Sequence, residues 1–183
     1  MHLFVVRHGE TDHNVQNRYA GSTDVPLNAT GLLQAEQLAE MLKGSSFDLI
    51  ITSPLLRARK TAEIINSWLS LPLVVVNEFT ERNVGFYEGL TQEEVKSQYP
   101  ELYARRCTRQ PDDAPTGGET YRESDVRVST ALEELRAAYP NKRVLLVCHS
   151  RVARIIHKFY NGLSYDEMHE FSLGNCEVAE YTA

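Results

Sequence analysis

Near its start the chain reads Leu3-Phe4-Val5-Val6-Arg7-His8-Gly9-Glu10-Thr11, in which four apolar residues directly precede charged and polar ones. A short apolar run of this kind, half of it β-branched, predicts a buried β-strand. In open α/β sheets, ligands bind outside the carboxyl ends of the strands. The stretch therefore predicts both a strand of an α/β fold and a functional site at Arg7 and His8.

Four further apolar runs have the length and composition of β-strands. They are Leu49 to Thr52, Leu73 to Val76, Val144 to Cys148 and Val178 to Tyr181. Four of the five runs are nearly continuous in apolar residues, which is typical of interior strands covered on both faces, as in a parallel sheet. Helical patterns fall between the runs, and this alternation predicts an α/β fold with a layered sheet.

The predicted helices begin at residues that favour helix caps. The caps are Asn28, Thr91, Thr120 and Ser164, together with Ser53, which has Pro54 after it as the first helical residue. The helix after Ser53 continues through Trp68, whose indole lies on an apolar helix face and is predicted to belong to the core. A last helix follows His149 and continues to about Tyr160.

Two stretches fit neither a strand nor a helix. Gly9 to Leu27 is polar, and a loop of that length in a compact domain is usually functional. Gln110 to Glu119 is rich in proline and glycine and predicts a lid or a wall. A length of 183 residues corresponds to one domain. We therefore expect residues 1–183 to form a single domain, with a helical and loop excursion at about 85–120 near the site.

Composition argues against several classes of protein. The chain has 19 Lys and Arg against 25 Asp and Glu, a formal charge of −6, whereas proteins that bind nucleic acid through its phosphates are usually basic. No apolar run reaches the roughly 18 residues of a membrane span, and the first residues lack the features of a signal peptide. Cys107, Cys148 and Cys176 have no CxxC spacing. We therefore expect no nucleic-acid or membrane partner, no disulfide framework and a cytoplasmic location.

Three of the predicted strands are followed by residues suited to binding an anion. Arg7 and His8 follow the first strand, His149 follows the fourth, and Arg57 lies about one turn into the helix after the second. Parallel strands end at the same edge of a sheet, so these side chains can converge on one crevice. The structural alternative is an ordinary hydrogen-bonded histidine in each case, and a solvated helix residue for Arg57.

Several segments in order resemble the histidine phosphatase superfamily, the phosphoglycerate-mutase-like family. The resemblance covers nearly the whole chain and is specific because the spacing of the segments also matches. The segments are Arg7 to Thr11 with Asn14, Asn17 to Gly21, Asp24 to Leu27, Ser53 to Ala62, Glu81 to Gly89, Gly117 to Thr120 and His149. The resemblance implies a three-layer αβα sandwich with a mostly parallel central sheet. It also places the chain with the small phosphatases of the family.

The resemblance implies that His8 is a nucleophile that attacks phosphorus and forms a phosphohistidine. His8 must be neutral to attack, which an ordinary imidazole pKa near roughly 6.5 allows. Arg7 and Arg57 would clamp the phosphate with their forked donors, and Asn14 would add a neutral donor. His149, if protonated, would add a third positive group. No cofactor is implied, and the remaining histidines lack metal-ligand spacing, so we expect no metal site.

The resemblance implies that Glu81 is the general acid and base. It would protonate the leaving oxygen and then accept a proton from water. The alternative for Glu81 is a surface carboxylate. The acid-phosphatase branch uses an acidic residue just after the second histidine instead, but here Ser150 follows His149. Ser150 would bind phosphate through its backbone N–H at a helix start.

The chain departs from the family where most small phosphatases read HGG, because it has His149-Ser150-Arg151. Arg151 either contacts a second anionic group on the substrate or points to solvent. The departure bears on the identity of the substrate more than on the type of reaction.

The expected activity is hydrolysis of a small phosphorylated metabolite, and the sequence leaves its identity and the oligomeric state open. A first alternative is phosphoglycerate mutase, for which the Arg105-Arg106 pair resembles a basic pair that mutases use on a carboxylate. The second alternative is a non-catalytic phospho-ligand binding module. The retained catalytic set favours an enzyme, and the short chain favours a phosphatase.

Overall fold

The computed structural model describes residues 1–182. The strands are β1 (His2–Arg7), β2 (Leu49–Thr52), β3 (Leu73–Val75), β4 (Arg143–Cys148) and β5 (Val178–Thr182). The helices are α1 (Asp12–Val15), α2 (Ala29–Leu42), α3 (Leu56–Leu69), α4 (Gln92–Gln98), α5 (Pro100–Ala104), α6 (Tyr121–Ala138) and α7 (Ser150–Asn161). Three 3₁₀ turns lie at Asn77–Phe79, Gly85–Tyr87 and Glu167–Glu170. Over the described range, no helix is both long and apolar enough to cross a membrane.

The five strands form one sheet in the order β3-β2-β4-β1-β5. All neighbours are parallel except β5, which is antiparallel to β1. Successive side chains of a strand point to opposite faces, so Leu3 and Val5 pack on one face with α6 and α7. Phe4 and Val6 pack on the other face with α2 and α3. The predicted three-layer αβα sandwich with a mostly parallel sheet is therefore confirmed.

The register of the sheet places the predicted site residues together. Arg7 at the end of β1 lies opposite Cys148 at the end of β4, so the next residues, His8 and His149, lie beside each other. Thr52 at the end of β2 lies opposite Val147, which brings Ser53 next to the same point. Side chains of about Leu or Val size contribute roughly 1.5–3 kcal/mol each when fully buried. The buried sheet therefore holds this edge rigidly.

Two expectations about strands and helix starts are wrong. The apolar run of β3 predicts an interior strand, but β3 lies at the edge of the sheet with Val74 and Val75 exposed. The amino-acid composition of a strand does not show how many strands lie beside it in the sheet. The helix expected to start at Ser53 and Pro54 begins instead at Leu56, with Leu55 as its cap residue. The Ser53 hydroxyl lies 2.7 Å from the ring of His149.

Two further expectations need correction at the surface. Trp68 is 43% exposed rather than buried in the core, and its indole Nε1 donates to Glu36 at 3.3 Å. Ser164 makes the capping-box hydrogen bonds with Glu167, yet only the 3₁₀ turn follows rather than an α-helix. The caps at Asn28, Thr91 and Thr120 begin helices as expected.

The loop after β1 lies directly on the first turn of α2, and two glycines make this possible. A Cβ added at Gly9 would lie 2.4 Å from the carbonyl oxygen of Gly31, and one at Gly31 would lie 2.1 Å from that of Glu10. Both distances are far below van der Waals contact. The polar stretch from Gly9 to Leu27 also contains α1, which was not expected and begins at a capping box of Thr11 and Asn14.

Candidate active site

A cleft of about 550 Å³ opens at the carboxyl edge of the sheet. All of the predicted site residues except His149 line it: Arg7, His8, Asn14, Arg57, Glu81 and Ser150. His149 is buried and packs against the ring of His8, with 5.2 Å between the ring centroids. The side chains expected to converge from three strand ends therefore do so.

The imidazole of His8 is held in one tautomer. Its Nδ1 lies 2.7 Å from the carbonyl oxygen of Gly9, and a carbonyl can only accept, so Nδ1 carries the proton. The other ring nitrogen, Nε2, then has a free lone pair. Burial, and after it the positive charge of Arg57, hold the pKa of His8 well below its ordinary value. His8 is therefore neutral at neutral pH, as a nucleophile requires.

His149 is also neutral, which corrects the expectation that it adds a positive charge. Burial, followed by the charges of Arg57, His8 and Arg7, holds its pKa well below the ordinary value. Its Nε2 lies 2.7 Å from the Ser53 hydroxyl, which accepts the N–H of Leu55 at 3.3 Å. The other ring nitrogen of His149 is Nδ1. This Nδ1 has no hydrogen-bond partner among residues 1–182.

Two of the arginines that line the cleft supply positive charge beside His8. Arg57 is 1% exposed and donates to the carbonyl oxygens of Thr23 at 2.8 Å and Gly21 at 2.7 Å. Arg7 donates to the carbonyl oxygen of Leu173 at 3.0 Å. Burial lowers the pKa of both groups, but a guanidinium does not deprotonate in proteins. The reading of Arg57 as a solvated helix residue is therefore wrong, whereas Arg59 and Lys60 beside it are exposed.

The two guanidinium groups are fixed without being neutralised. Their partners named above are carbonyl oxygens, and neither arginine forms an ion pair within residues 1–182. The Nε atoms of Arg7 and Arg57 are buried and lack a hydrogen-bond partner in the same range, as does Nδ1 of His149. Buried donors without partners are costly unless a ligand satisfies them. The set has the chemistry of a site for an oxyanion.

Glu81 is buried in the wall of the cleft and is not a surface carboxylate. Its Oε1 accepts the backbone N–H of Arg82 at 2.9 Å, and its Oε2 accepts that of Arg151 at 3.2 Å. The guanidinium of Arg151 lies 3.9 Å from Oε2, beyond hydrogen-bond distance. The carboxyl group is therefore oriented by backbone amides on both of its oxygens.

Asn14 and Ser150 present donors to the cleft. The Oδ1 of Asn14 accepts from the backbone and hydroxyl of Thr11 at 3.0 and 3.1 Å, which leaves its Nδ2 group to donate elsewhere. Ser150 is the first residue of α7, where backbone N–H groups have no partner inside the helix and favour anions. In the part of the chain that the structure describes, no three His, Cys, Asp or Glu side chains form a metal-binding group.

The match to known families is consistent with this arrangement. A family model described as the histidine phosphatase superfamily (branch 1) matches residues 3–183. The chain belongs to the histidine phosphatase superfamily. The resemblance of the ordered sequence segments is thereby confirmed.

Relatives within the superfamily carry phosphatase names. A protein of Bacillus subtilis (strain 168) described as the uncharacterized phosphatase PhoE is 41% identical over 180 residues, covering 96% of this chain and 88% of its own length. The crystal structure of the alpha-ribazole phosphatase from Shigella flexneri has a TM-score of 0.91 and 29% identity, over 98% of this chain and 89% of that one. A mycobacterial glucosyl-3-phosphoglycerate phosphatase, solved as a complex with VO3, has a TM-score of 0.89 and 27% identity, over 98% of this chain and 90% of that one.

Several residues that build the site were not singled out from the sequence. Asn175 donates from Nδ2 to the carbonyl oxygen of His8 at 2.8 Å, and the N–H of Cys176 donates to that of Arg7 at 2.9 Å. Asn175 lies in a loop with no periodicity, so no local signal identifies it. Thr61 accepts the N–H of Gly9 at 3.1 Å, and it lies four residues after Arg57 on α3. That helical spacing was a usable signal.

Glu88 links two segments that flank the cleft. Its carboxylate accepts the backbone N–H of Ser22 at 2.8 Å and that of Val84 at 3.2 Å, and it also accepts the Thr23 hydroxyl. The carbonyl of Thr23 in turn holds Arg57. The second glutamate of the Glu81 to Gly89 segment therefore helps to position Arg57 and does not line the cleft itself.

Proposed function

We propose that this protein is a phosphomonoester phosphatase that works through a phosphohistidine on His8. The observation that carries the proposal is the neutral His8, with its proton on Nδ1 and its Nε2 lone pair free, beside two unneutralised arginines whose Nε atoms are buried and unpartnered. Phosphoryl transfer depends mainly on positioning and on stabilising negative charge, and fixed cations supply that charge without a metal ion.

In the first step, Nε2 of His8 donates its lone pair to phosphorus, and the bond from phosphorus to the leaving oxygen breaks. Arg7 and Arg57 stabilise the charge on the phosphoryl oxygens, with donors from Asn14 and Ser150. Glu81 enters this step protonated and gives its proton to the leaving oxygen, so that the product leaves as a neutral alcohol.

In the second step, a water molecule attacks the phosphohistidine. Glu81, now a carboxylate, accepts a proton from that water as the new P–O bond forms and the P–N bond breaks. The electrons of the broken bond return to Nε2, which restores the neutral imidazole. The hydrogen bond from Nδ1 to Gly9 is retained through both steps, because attack and release involve only Nε2.

The position of Arg105 and Arg106 favours a phosphatase over a mutase. Arg105 forms an ion pair with Asp113 at 2.9 Å, and neither Arg105 nor Arg106 is among the residues that line the 550 Å³ cleft. A basic pair that bound a substrate carboxylate would have to face that cleft. The complete set of nucleophile, clamp and carboxyl group speaks against a module that only binds its ligand.

The relatives support a small phosphorylated metabolite as substrate. Alpha-ribazole phosphatase and glucosyl-3-phosphoglycerate phosphatase are both named for such compounds. A cleft of about 550 Å³ is within the range of small-molecule sites, which is roughly 300–1,000 Å³. The mycobacterial relative was solved with VO3. An oxyanion of this kind offers the acceptors that the unpartnered donors of this cleft lack.

The test is hydrolysis of p-nitrophenyl phosphate and of a panel of small phosphomonoesters, with and without a metal chelator. We expect turnover that chelation leaves intact and that His8→Ala abolishes. A rapid quench in alkaline detergent, after mixing with labelled phosphate ester, should trap an alkali-stable label on the parent protein that later acid treatment releases, and no label on His8→Ala. Absence of hydrolysis across the whole panel would falsify the proposal, and phosphate exchange between glycerate positions that outpaces release would identify a mutase.

A further inference from the structure

Arg151 places a positive charge at the amino end of α7. It is the second residue of α7, whose first turn contains no acidic residue to offset it. The amino end of a helix carries partial positive charge, so an arginine there is unfavourable for the helix. Residues that break a local rule are expected at functional sites.

The guanidinium of Arg151 lies in the cleft with its donors unused. The side chain is 19% exposed, and its guanidinium carbon lies 5.7 Å from the ring centroid of Tyr19. The nearest carboxylate oxygen is Oε2 of Glu81 at 3.9 Å, which already accepts the backbone N–H of Arg151. Within residues 1–182, the guanidinium has no hydrogen bond of 3.5 Å or less.

The other arginines that line the cleft are different in this respect. Arg7 and Arg57 are fixed by carbonyl oxygens, as described above. Arg154 donates to the carbonyl oxygen of Phe171 at 3.0 Å, and Arg18 forms an ion pair with Glu94 at 2.7 Å. Among the cleft arginines of residues 1–182, Arg151 alone has no side-chain hydrogen bond of 3.5 Å or less. The Tyr121 hydroxyl is its one weak hydrogen-bonding neighbour, and the rest of the guanidinium fork is left for a ligand.

Arg151 remains charged in this setting. Burial by itself would lower its pKa, but Glu81 in its ionised form, the hydroxyl groups of Tyr121 and Tyr19, and hydrogen bonding to Tyr121 together raise that pKa above its ordinary value. A charged fork with free donors suits a carboxylate or a phosphate, both of which accept two parallel hydrogen bonds.

We propose that Arg151 binds a second anionic group, which the alcohol part of the substrate carries in addition to the phosphate that is removed. The inference rests on the proposed function, in which Glu81 protonates the leaving oxygen. Arg151 lies next to Glu81 and so on the leaving-group side of the phosphate. The second anion is therefore on the product alcohol, and the substrates selected are phosphomonoesters with a nearby carboxylate or second phosphate.

A competing role for Arg151 is to position Glu81, since the two groups are 3.9 Å apart. The two roles predict different kinetics. A positioning residue affects the proton transfer of every substrate alike, whereas an anion subsite affects only substrates that carry the second anion. The two roles are therefore distinguished by the ratio of kcat/KM between two substrates that differ only in the second anion.

The test compares kcat/KM for two substrate pairs. In the first, 3-phosphoglycerate differs from glycerol 3-phosphate by a carboxylate; in the second, propane-1,3-diol bisphosphate differs from propyl phosphate by a phosphate. The first pair therefore tests a carboxylate and the second a phosphate. In at least one pair, we expect the parent protein to favour the member with the second anionic group by about tenfold or more in kcat/KM. A charge-assisted hydrogen bond usually contributes about that much.

Arg151→Gln should reduce that preference to near one, and Arg151→Lys should restore part of it because it keeps the charge. Arg59→Gln, an exposed arginine outside the cleft, is the matched control and should keep the parental preference. Thermal unfolding of each variant establishes that it is folded. The proposal is overturned if the parent prefers neither anionic member, or if Arg151→Gln lowers all four values equally. Failure of the parent to hydrolyse any of the four would instead count against the proposed phosphatase.

Discussion

The imidazole rings of His8 and His149 lie 5.2 Å apart, both buried and both neutral, beside the guanidinium of Arg57. The ring of His8 has its proton on Nδ1, from which it donates to the carbonyl oxygen of Gly9. Protonation of either ring places a positive charge next to fixed arginines in a poorly hydrated site. Folding is therefore coupled to the neutral state of both histidines.

The unfolding free energy should consequently fall at mildly acidic pH. The pKa of each ring is lower in the folded than in the unfolded chain, so the unfolded chain binds more protons as the pH falls below about 6.5. The contribution to stability is complete above that pH and is lost progressively down to the folded pKa. The expected slope is up to about 1.4 kcal/mol per pH unit for each ring, measured by urea unfolding in buffers free of phosphate.

His8→Asn is the variant that checks the origin of this slope. It removes one of the two rings and should reduce the pH dependence of unfolding between about pH 7 and 5. The pKa of Asp48 and of Glu94 is also lowered by hydrogen bonding, but carboxylates act nearer pH 4 and so in a separate range. A slope that is identical in parent and variant would show that the ring of His8 is not its source.

Arg57→Lys should strongly weaken both catalysis and the binding of inorganic phosphate. One ammonium group cannot hold the carbonyl oxygens of Gly21 and Thr23 and also present a second donor edge to an anion. Removing a single preorganised donor from a site of developing charge costs about 100-fold or more in rate. Inhibition by phosphate and kcat/KM report the effect. Arg59→Lys, two residues further along α3 and exposed, should change neither value.

Glu81→Gln should separate substrates by the quality of their leaving group. An alkyl phosphate needs the proton, and general acid catalysis contributes about 10²–10⁴ to such a step. A nitrophenolate leaves without help, so the first step should survive better for p-nitrophenyl phosphate. Because the variant also lacks the base for water attack, the phosphohistidine should accumulate.

The measurement is a burst of nitrophenolate that matches the enzyme concentration, followed by slow turnover. Glu93→Gln on α4, an exposed acidic residue, is the control and should behave as the parent. Equal losses for alkyl and aryl substrates, without a burst, are incompatible with Glu81 as the proton donor.

Arg82→Met should destabilise residues 105–119, which pack beside Arg82 and accept its hydrogen bonds. Arg82 is buried and donates to the carbonyl oxygens of Glu119 at 2.7 Å, Thr108 at 2.9 Å and Asp113 at 3.4 Å. Methionine fills part of the volume but leaves these acceptors unpaired, at a cost of about 3 kcal/mol or more in total. Hydrogen exchange should show lost protection in residues 105–119, with a smaller change in the sheet.

Arg122→Met provides the comparison for Arg82. Arg122 also contacts this segment, through an ion pair with Asp112, but both side chains are exposed. Exposed ion pairs contribute little, so exchange rates in residues 105–119 should stay close to those of the parent. Similar exchange in both variants would mean that burial of Arg82 is unimportant for the segment.

The sheet was predictable from the sequence because its interior strands are short apolar runs that bury both faces. The same signal failed for Leu73–Val75, since a run of valines reports burial tendency and not the number of neighbouring strands. Arg57 and Arg59 look alike in sequence. Their helical positions distinguish them, because Arg57 shares the buried face of α3 with Thr61 and Ile64.

The protonation of His149 was not predictable in the same way. It depends on complete burial and on charges contributed by residues 7, 8 and 57, which only the fold brings together. Asn175 was missed for a similar reason, because its role is a contact across 167 positions of the chain. The chemical roles of His8, Glu81 and the phosphate-binding residues, and the single-domain organisation, remain predictions.

The hydrogen bonds from Asn175 to His8 and from Cys176 to Arg7 have a consequence for biosynthesis. The ribosome delivers His8 more than 160 residues before the groups that fix its backbone. A nascent chain that already contains His8, Arg57 and Glu81 therefore still lacks the hydrogen bonds from Asn175 and Cys176. The geometry of the cleft is therefore completed only when the last segment of the sheet has been synthesised.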